Sequence, residues 1–135
     1  MILSKMYKNK KILLMIPAYN DEGNVGNVIK RIPKDLVDEL IIVNDGSRDN
    51  TKKEIEKGLK KLGIGNLINF EKNKGLGPGF KKMFNYAKEK NPDVCVILAG
   101  DNQDDPREMV KLVKAIVDEN YDMIQGSRYL TKERE

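Results

Sequence analysis

Short apolar runs alternate along the chain with segments whose apolar positions recur every three or four residues. The first run, KILLMI at 11–16, reads as a strand that Pro17 ends. Val25, Val28, Ile29 and Ile32 then fall at i, i+3, i+4 and i+7, one helical stripe closed by Pro33. ELIIVN at 39–44 predicts a second strand. Ile55, Leu59 and Leu62 supply a second helix, with Gly63 just past its end. LINF at 67–70 is a short third strand. Beyond the glycine-rich NKGLGPG at 73–79, Phe80, Met83, Phe84 and Ala87 mark a third helix. DVCVIL at 93–98 is a fourth strand. Pro106 suits the first turn of a helix whose stripe is Met109, Leu112, Val113, Ile116 and Val117. YDMIQG at 121–126 predicts a fifth strand.

These strands lack the polar–apolar alternation of a half-exposed sheet. Strands of that kind, with helices between them, form a mostly parallel sheet covered on both faces. The fold class is therefore α/β, a three-layer sandwich. No linker, repeat or low-complexity segment interrupts it, so residues 1–135 read as one domain.

Composition narrows the chemistry. The chain is 39% hydrophobic and 34% charged, as soluble globular domains are. Its longest apolar runs, Ile12–Ile16 and Val94–Ala99, are far too short to cross a bilayer. Lysines stand near the N-terminus, but no apolar stretch with a small-residue cleavage site follows, so no signal peptide is expected. The single cysteine, Cys95, rules out an internal disulfide framework and reads as a buried structural thiol. The absence of histidine from these 135 residues excludes histidine-ligated metals and Ser-His or Cys-His catalysis within them. Acid–base work falls to carboxylates, amines, phenols or the substrate itself. The net charge of +4 is mild, and its lysines are spread over helix faces as in KKEIEKGLKK, so no nucleic acid partner is expected.

The polar clusters sit where ligands bind in such sheets, beyond the carboxyl ends of the strands. PAYNDEGN follows the first strand, NDGSRDNT the second, EKNKGLGPG the third and GDNQDDP the fourth. Helix capping alone accounts locally for Asp49, Asn50 and Thr51, and for Asp104 and Asp105. It does not account for four clusters at one sheet edge. Asp101 and Gln103 lie two apart just past a strand, where alternation aims both to one side. Such oxygen groups suit a hard divalent cation held by few protein carboxylates plus substrate phosphates. NKGLGPG allows close backbone approach, yet it lacks the Walker pattern and does not follow the first strand.

Taken in order, IPAYNDEGNVGNVI, IIVNDGSRDNT, NKGLGPGFKKMF, VILAGDNQDDP and YDMIQGSRY resemble the family 2 glycosyltransferases of GT-A fold. The dolichyl-phosphate mannose and glucose synthase branch is the most similar, and the likeness spans roughly Lys11 to Tyr129. It implies a Rossmann-like nucleotide-diphospho-sugar transferase fold. Pro17, Ala18 and Tyr19 would line the base and ribose pocket, and Asp21 stands where family members usually carry Glu. NDGS matches the family's DDGS, so Asp45 would accept a hydrogen bond from the base while Asn44 replaces the first acid. Gly75 and Gly77 match a glycine-rich loop near the nucleotide. AGDNQ aligns with an Asp-X-Asp segment followed by Gln. Here Ala99 replaces the first aspartate, Asp101 would bind Mg²⁺ or Mn²⁺ bridging the diphosphate, and Gln103 would support it. Arg128 matches an arginine near a phosphate-bearing acceptor.

The implied activity is inverting sugar transfer from a UDP- or GDP-sugar donor, with a polyprenyl or dolichyl phosphate or another glycan or lipid as acceptor. The implied location is cytoplasmic and peripheral, at the inner face of the membrane. In the family a second half normally follows GSRY and supplies acceptor contacts and, in many members, a catalytic carboxylate. Only six residues follow Tyr129 here, so a donor-binding domain incomplete at its C-terminus, with its catalytic acid beyond the chain end, is expected. An open face there would favour a homo-oligomer. A non-catalytic nucleotide-sugar-binding domain is the alternative, favoured by Ala99. A nucleotidyltransferase would call for a glycine- and arginine-rich loop after the first strand, which PAYNDEGN is not. A ligand-free structural domain fits poorly with the polar strand ends.

Overall fold

The computed structural model describes residues 7–127. Its elements run β1 (Ile12–Ala18), α1 (Val25–Lys30), β2 (Glu39–Asp45), α2 (Thr51–Leu62), β3 (Asn66–Phe70), α3 (Leu76–Lys90), β4 (Val94–Ile97) and α4 (Met109–Glu119). A 3-10 turn at Pro106–Glu108 precedes α4. The strands form one sheet in the order β3-β2-β1-β4, and every pairing is parallel.

The missing alternation in the sequence has a direct cause. On one face of the central strands, Ile12, Leu14, Ile16, Leu40 and Ile42 meet Val25, Val28 and Ile29 of α1, Ile55 of α2, and Met109 and Val113 of α4. On the other face, Leu13, Met15, Ile41 and Val43 meet Met83 of α3. Both faces are dry, so apolar residues are needed at every position. Each such side chain contributes on the order of 1.5–3 kcal/mol when fully buried. The layers are thus helix, sheet, helix, as the pattern predicts.

Four expectations need correction. β1 continues through Pro17, which pairs with Val43, and stops at Ala18. The Pro17 carbonyl accepts from Gly100 N on the β4 side, where β4 has already ended at Ile97. Its missing N–H therefore breaks no regular ladder bond, and the strand tolerates proline. Second, α3 starts at Leu76, inside the glycine-rich run, rather than at Phe80. Pro78 lies in the first turn, where its absent N–H is no loss, and Gly79 is buried against Val43.

Third, Cys95 is exposed, not buried. β4 is an edge strand, and α3 packs over β1 and β2, so the side of β4 carrying Cys95 and Ile97 stays open. Fourth, residues 121–126 form no strand. A strand needs a neighbouring backbone to take its hydrogen bonds, and no ladder pairs this segment among the described residues.

Candidate functional site

Four parallel strands deliver their four following loops to one edge of the sheet. The connections also diverge there. β1 leads to β2 and then β3 on one side, whereas β4 returns to the opposite side of β1. Open α/β sheets bind ligands at this switch point, beyond the carboxyl ends of the two diverging strands. The residues beyond β1 and β4 are Tyr19–Asp21 and Gly100–Gln103.

Those two loops touch. Gly100 N donates to the Pro17 carbonyl at 3.1 Å. A Cβ on Gly100 would stand 3.1 Å from Asp21 Oδ2 and 3.2 Å from the Ala18 Cβ, which is why a glycine occupies the position. Arg31, just past α1, hydrogen-bonds the Asn102 side chain and lies 3.9 Å from Asp105. Asp101 accepts from Gln103 N at 3.1 Å, so the two predicted cation-site residues form one tight turn. Asp105 accepts from Arg107 N and pairs with the Arg107 guanidinium at 2.6 Å, confirming its local capping role. The Arg107 guanidinium and its backbone N–H hold the Asp105 carboxyl well below the usual range.

Asp21 is an acid of this edge whose carboxyl is held above its ordinary range. Burial pushes its carboxyl up, and the charges of Asp101 and Asp49 add to the rise, while the hydrogen bond from Tyr19 N works against it. Asp21 and Asp101 thus stand on the two loops that touch, near enough for the Asp101 charge to act on the Asp21 carboxyl. Among the described residues, no three carboxylates or thiolates gather into a cation cage. A cation bound with so few protein ligands needs phosphate oxygens or water to complete its shell.

The β1 and β2 loops are sewn together by side chains. Asn20 N donates to Ser47 Oγ at 2.9 Å, and Arg48 N donates back to Asn20 Oδ1 at 2.9 Å. Asp21 N donates to Thr51 Oγ1 at 2.8 Å and Gly23 N to Glu54 Oε1 at 2.8 Å. Asp49 accepts from Thr51 N and from Glu22 N. Burial opposes ionisation of Asp49, but the bonds from Thr51 and Glu22 outweigh it, and its carboxyl lies below the ordinary range. Asp49 therefore holds the first N–H of α2 and also reaches the neighbouring loop. Asn50, at the N-cap position itself, makes no side-chain capping bond and donates to Glu22 instead, against the capping expected of it.

The β2 and β3 loops meet at Asp45. Its carboxylate accepts from Lys74 N at 2.8 Å and from Asn73 Nδ2 at 3.0 Å. Gly46, at φ +66°, has no room for a side chain, because a Cβ would fall on the Lys72–Asn73 backbone. Gly75, at φ +83°, caps α3, and Gly77 lies in its first turn facing open space. Pro17 is half-buried, Ala18 buried and Tyr19 exposed at the same edge. Arg128 lies outside the described residues.

Sequence reasoning missed Asn20, Glu22, Glu54 and Arg31. Their partners are about 30 residues away or more, and no local pattern announces them. A groove of about 370 Å³ lies elsewhere, between α1 and α2, lined in part by Gly26, Lys30, Glu54 and Lys57. It contains none of the predicted residues. The meeting of the loops that carry Asp21, Asp45 and Asp101 at the strand edge makes that edge the stronger site.

The layered parallel sheet is the GT-A architecture. Of the solved structures, a mannosyltransferase from Pyrobaculum calidifontis in complex with GDP-Man and Mn²⁺ superposes with a TM-score of 0.67 at 16% identity, over 80% of this chain and 32% of that one. The chain belongs to glycosyl transferase family 2, whose model matches residues 14–135. It is 33% identical over 132 residues to the UDP-N-acetylglucosamine–dolichyl-phosphate N-acetylglucosaminyltransferase of Methanococcus voltae, covering 89% of this chain and 53% of the relative. It is 32% identical over 123 residues to the dolichol-phosphate mannosyltransferase of Pyrococcus furiosus, covering 89% of this chain and 34% of the relative. The chain spans about half the length of the curated relatives it matches first. No described helix is long and apolar enough to cross a membrane.

Proposed function

We propose that residues 1–135 are the donor-binding part of an inverting glycosyltransferase that takes its sugar from a UDP- or GDP-sugar. One observation carries the reading: the β1 and β4 loops meet at the switch point of the sheet, with Asp21 on one and Asp101 on the other. A nucleoside diphosphate brings charge that a cation between these acids would balance.

Each residue has a part in this reading. Pro17, Ala18 and Tyr19 form the wall for base and ribose. Asp45 holds the loop containing Gly75 and Gly77 through Lys74 N and Asn73, and its remaining lone pairs are available to a base N–H. Asp101 and Gln103 would hold Mg²⁺ or Mn²⁺, with Asp21 beside them. A cation held there would supply positive charge to offset the negative charge developing on the departing diphosphate. The acceptor oxygen displaces that diphosphate at the sugar's anomeric carbon, with inversion. A polyprenyl phosphate suits this chemistry because its oxygen is already ionised and requires little help from a base. Arg128 is assigned to that phosphate by the GSRY match alone. The catalytic carboxylate is assigned to none of these residues. In this reading the enzyme is cytoplasmic and works at the inner face of the membrane.

Calorimetry of the chain with UDP and GDP, each with and without Mn²⁺, tests the reading. Saturable binding strengthened by Mn²⁺ is the expected result; no binding of either nucleotide overturns it. A second reading, a nucleotide-sugar-binding domain without transfer activity, is favoured by Ala99 in place of an acid. Release of labelled sugar from a bound donor separates the two.

A further inference from the structure

We propose that Thr51, helped by Ser47, is a positioning residue for the donor-binding loop after β1. The inference rests on the nucleotide reading above and deepens it.

The described residues include two buried polar side chains, Asn44 and Thr51, and both serve the same loop. Thr51 is fully buried at the first position of α2. A hydroxyl there would ordinarily satisfy its own helix. Instead, its Oγ1 accepts the Asp21 N–H from 30 residues back and donates its own proton to Asp49 Oδ1. Asn44 acts one step removed. Its Nδ2 donates to Asn69 Oδ1 at 2.7 Å, and its Oδ1 accepts from the Ser47 hydroxyl, whose oxygen receives Asn20 N at 2.9 Å.

The buried polar groups therefore fix the backbone at residues 20 and 21, directly after Pro17–Tyr19. Burying a hydroxyl or amide is costly unless it is hydrogen-bonded, so their use at this one loop is informative. The next donors along the loop are held the same way, Glu22 N by Asp49 and Gly23 N by Glu54. Asn20 has a left-handed φ of +49°, a conformation that needs such support in a residue other than glycine. α2 and its preceding turn thus form a bracket that sets where Asp21 and Tyr19 stand before any ligand arrives. Preorganisation of this kind acts on affinity by removing the cost of ordering the loop on binding.

The test compares wild type with Thr51→Val, Thr51→Ser and Ser47→Ala. It uses calorimetry with UDP and GDP in Mn²⁺, and hydrogen exchange at the Asp21 amide. Valine keeps the shape but removes the acceptor. It should weaken binding about tenfold, the loss of one hydrogen bond of ordinary net strength, and speed exchange at Asp21. Serine should restore both. Thr51→Val binding as tightly as wild type, or Thr51→Ser binding as weakly as Thr51→Val, overturns the proposal. Should Thr51→Val not fold, Ser47→Ala carries the test, and unchanged affinity there overturns it. If wild type binds neither nucleotide, the functional reading fails instead. Exchange at Asp21 then still decides whether Thr51 fixes the loop: faster in Thr51→Val supports the bracket, and unchanged exchange removes it.

Discussion

Asp21 Oδ2 lies 3.1 Å from where a Cβ on Gly100 would stand, so the loops after β1 and β4 are in contact across the sheet's switch point. The contact leaves no slack. Ala18 Cβ is 3.2 Å and the Pro17 carbonyl oxygen 3.4 Å from the same spot. Gly100→Ala should therefore shift Asp21 or the β4 loop by a few tenths of an ångström. The expected cost is about 1 kcal/mol, at the low end for overpacking. Urea unfolding of the variant checks this, and stability equal to wild type would show that the loops can separate freely.

The same carboxyl predicts a pH effect. Its folded-state pKa is raised above the ordinary 3.8, chiefly by burial and then by Asp101 and Asp49. Between the ordinary value and the raised one, the folded state holds more protons than the unfolded state, so this group's contribution falls as pH rises. The penalty is complete above the folded pKa and absent below 3.8. Asp21→Asn keeps an acceptor for Tyr19 N and removes the charge, so it should stabilise the chain at pH 7. That advantage should disappear as pH falls through the window. Melting curves of both proteins from pH 3 to pH 7 give the comparison, and a constant difference across that range would contradict it.

Cys95 offers a simple check on the uncovered side of β4. It is the chain's single cysteine and is exposed. One thiol per chain should react with Ellman's reagent in the folded protein, without denaturant. Reaction only after unfolding would mean that something covers β4.

Sequence and structure agree best where both faces of a strand are covered or one helix face repeats its apolar positions. ILLMI and LIIV are apolar at every position because helices cover both faces, and that already implies parallel strands. Val25, Val28 and Ile29 show their helix by spacing and are buried on α1 as expected. Cys95 sits in an equally apolar run, yet its exposure depends on where α3 packs, and no residue near it carries that information. Residues 121–126 have a strand's composition without a partner to pair with. The candidate site divides the same way. The motifs placed Asp21, Asp45 and Asp101 at one edge, while the links through Thr51, Glu54 and Arg31 arise only when distant loops meet.

Asp45 and Asp101 should fail in different ways when removed, and the difference locates the cation. Asp101 ends in the β4 loop with Gln103, beside Asp21, and is assigned to the metal. Asp101→Ala should abolish most of the affinity gained on adding Mn²⁺, about 2–4 kcal/mol for a charged contact. Its metal-free binding should stay near that of wild type. Asp45 lies two strands away, where it ties Lys74 N and Asn73 to the end of β2. Asp45→Ala loosens the loop leading into α3 and removes an acceptor for the base, so affinity should fall equally with and without metal. Isothermal titration of both variants with UDP and GDP, in Mn²⁺ and in EDTA, measures the four values for each nucleotide. Equal losses for Asp101→Ala in the two conditions would take the cation away from Asp101. A loss for Asp45→Ala confined to Mn²⁺ would place it at Asp45 instead.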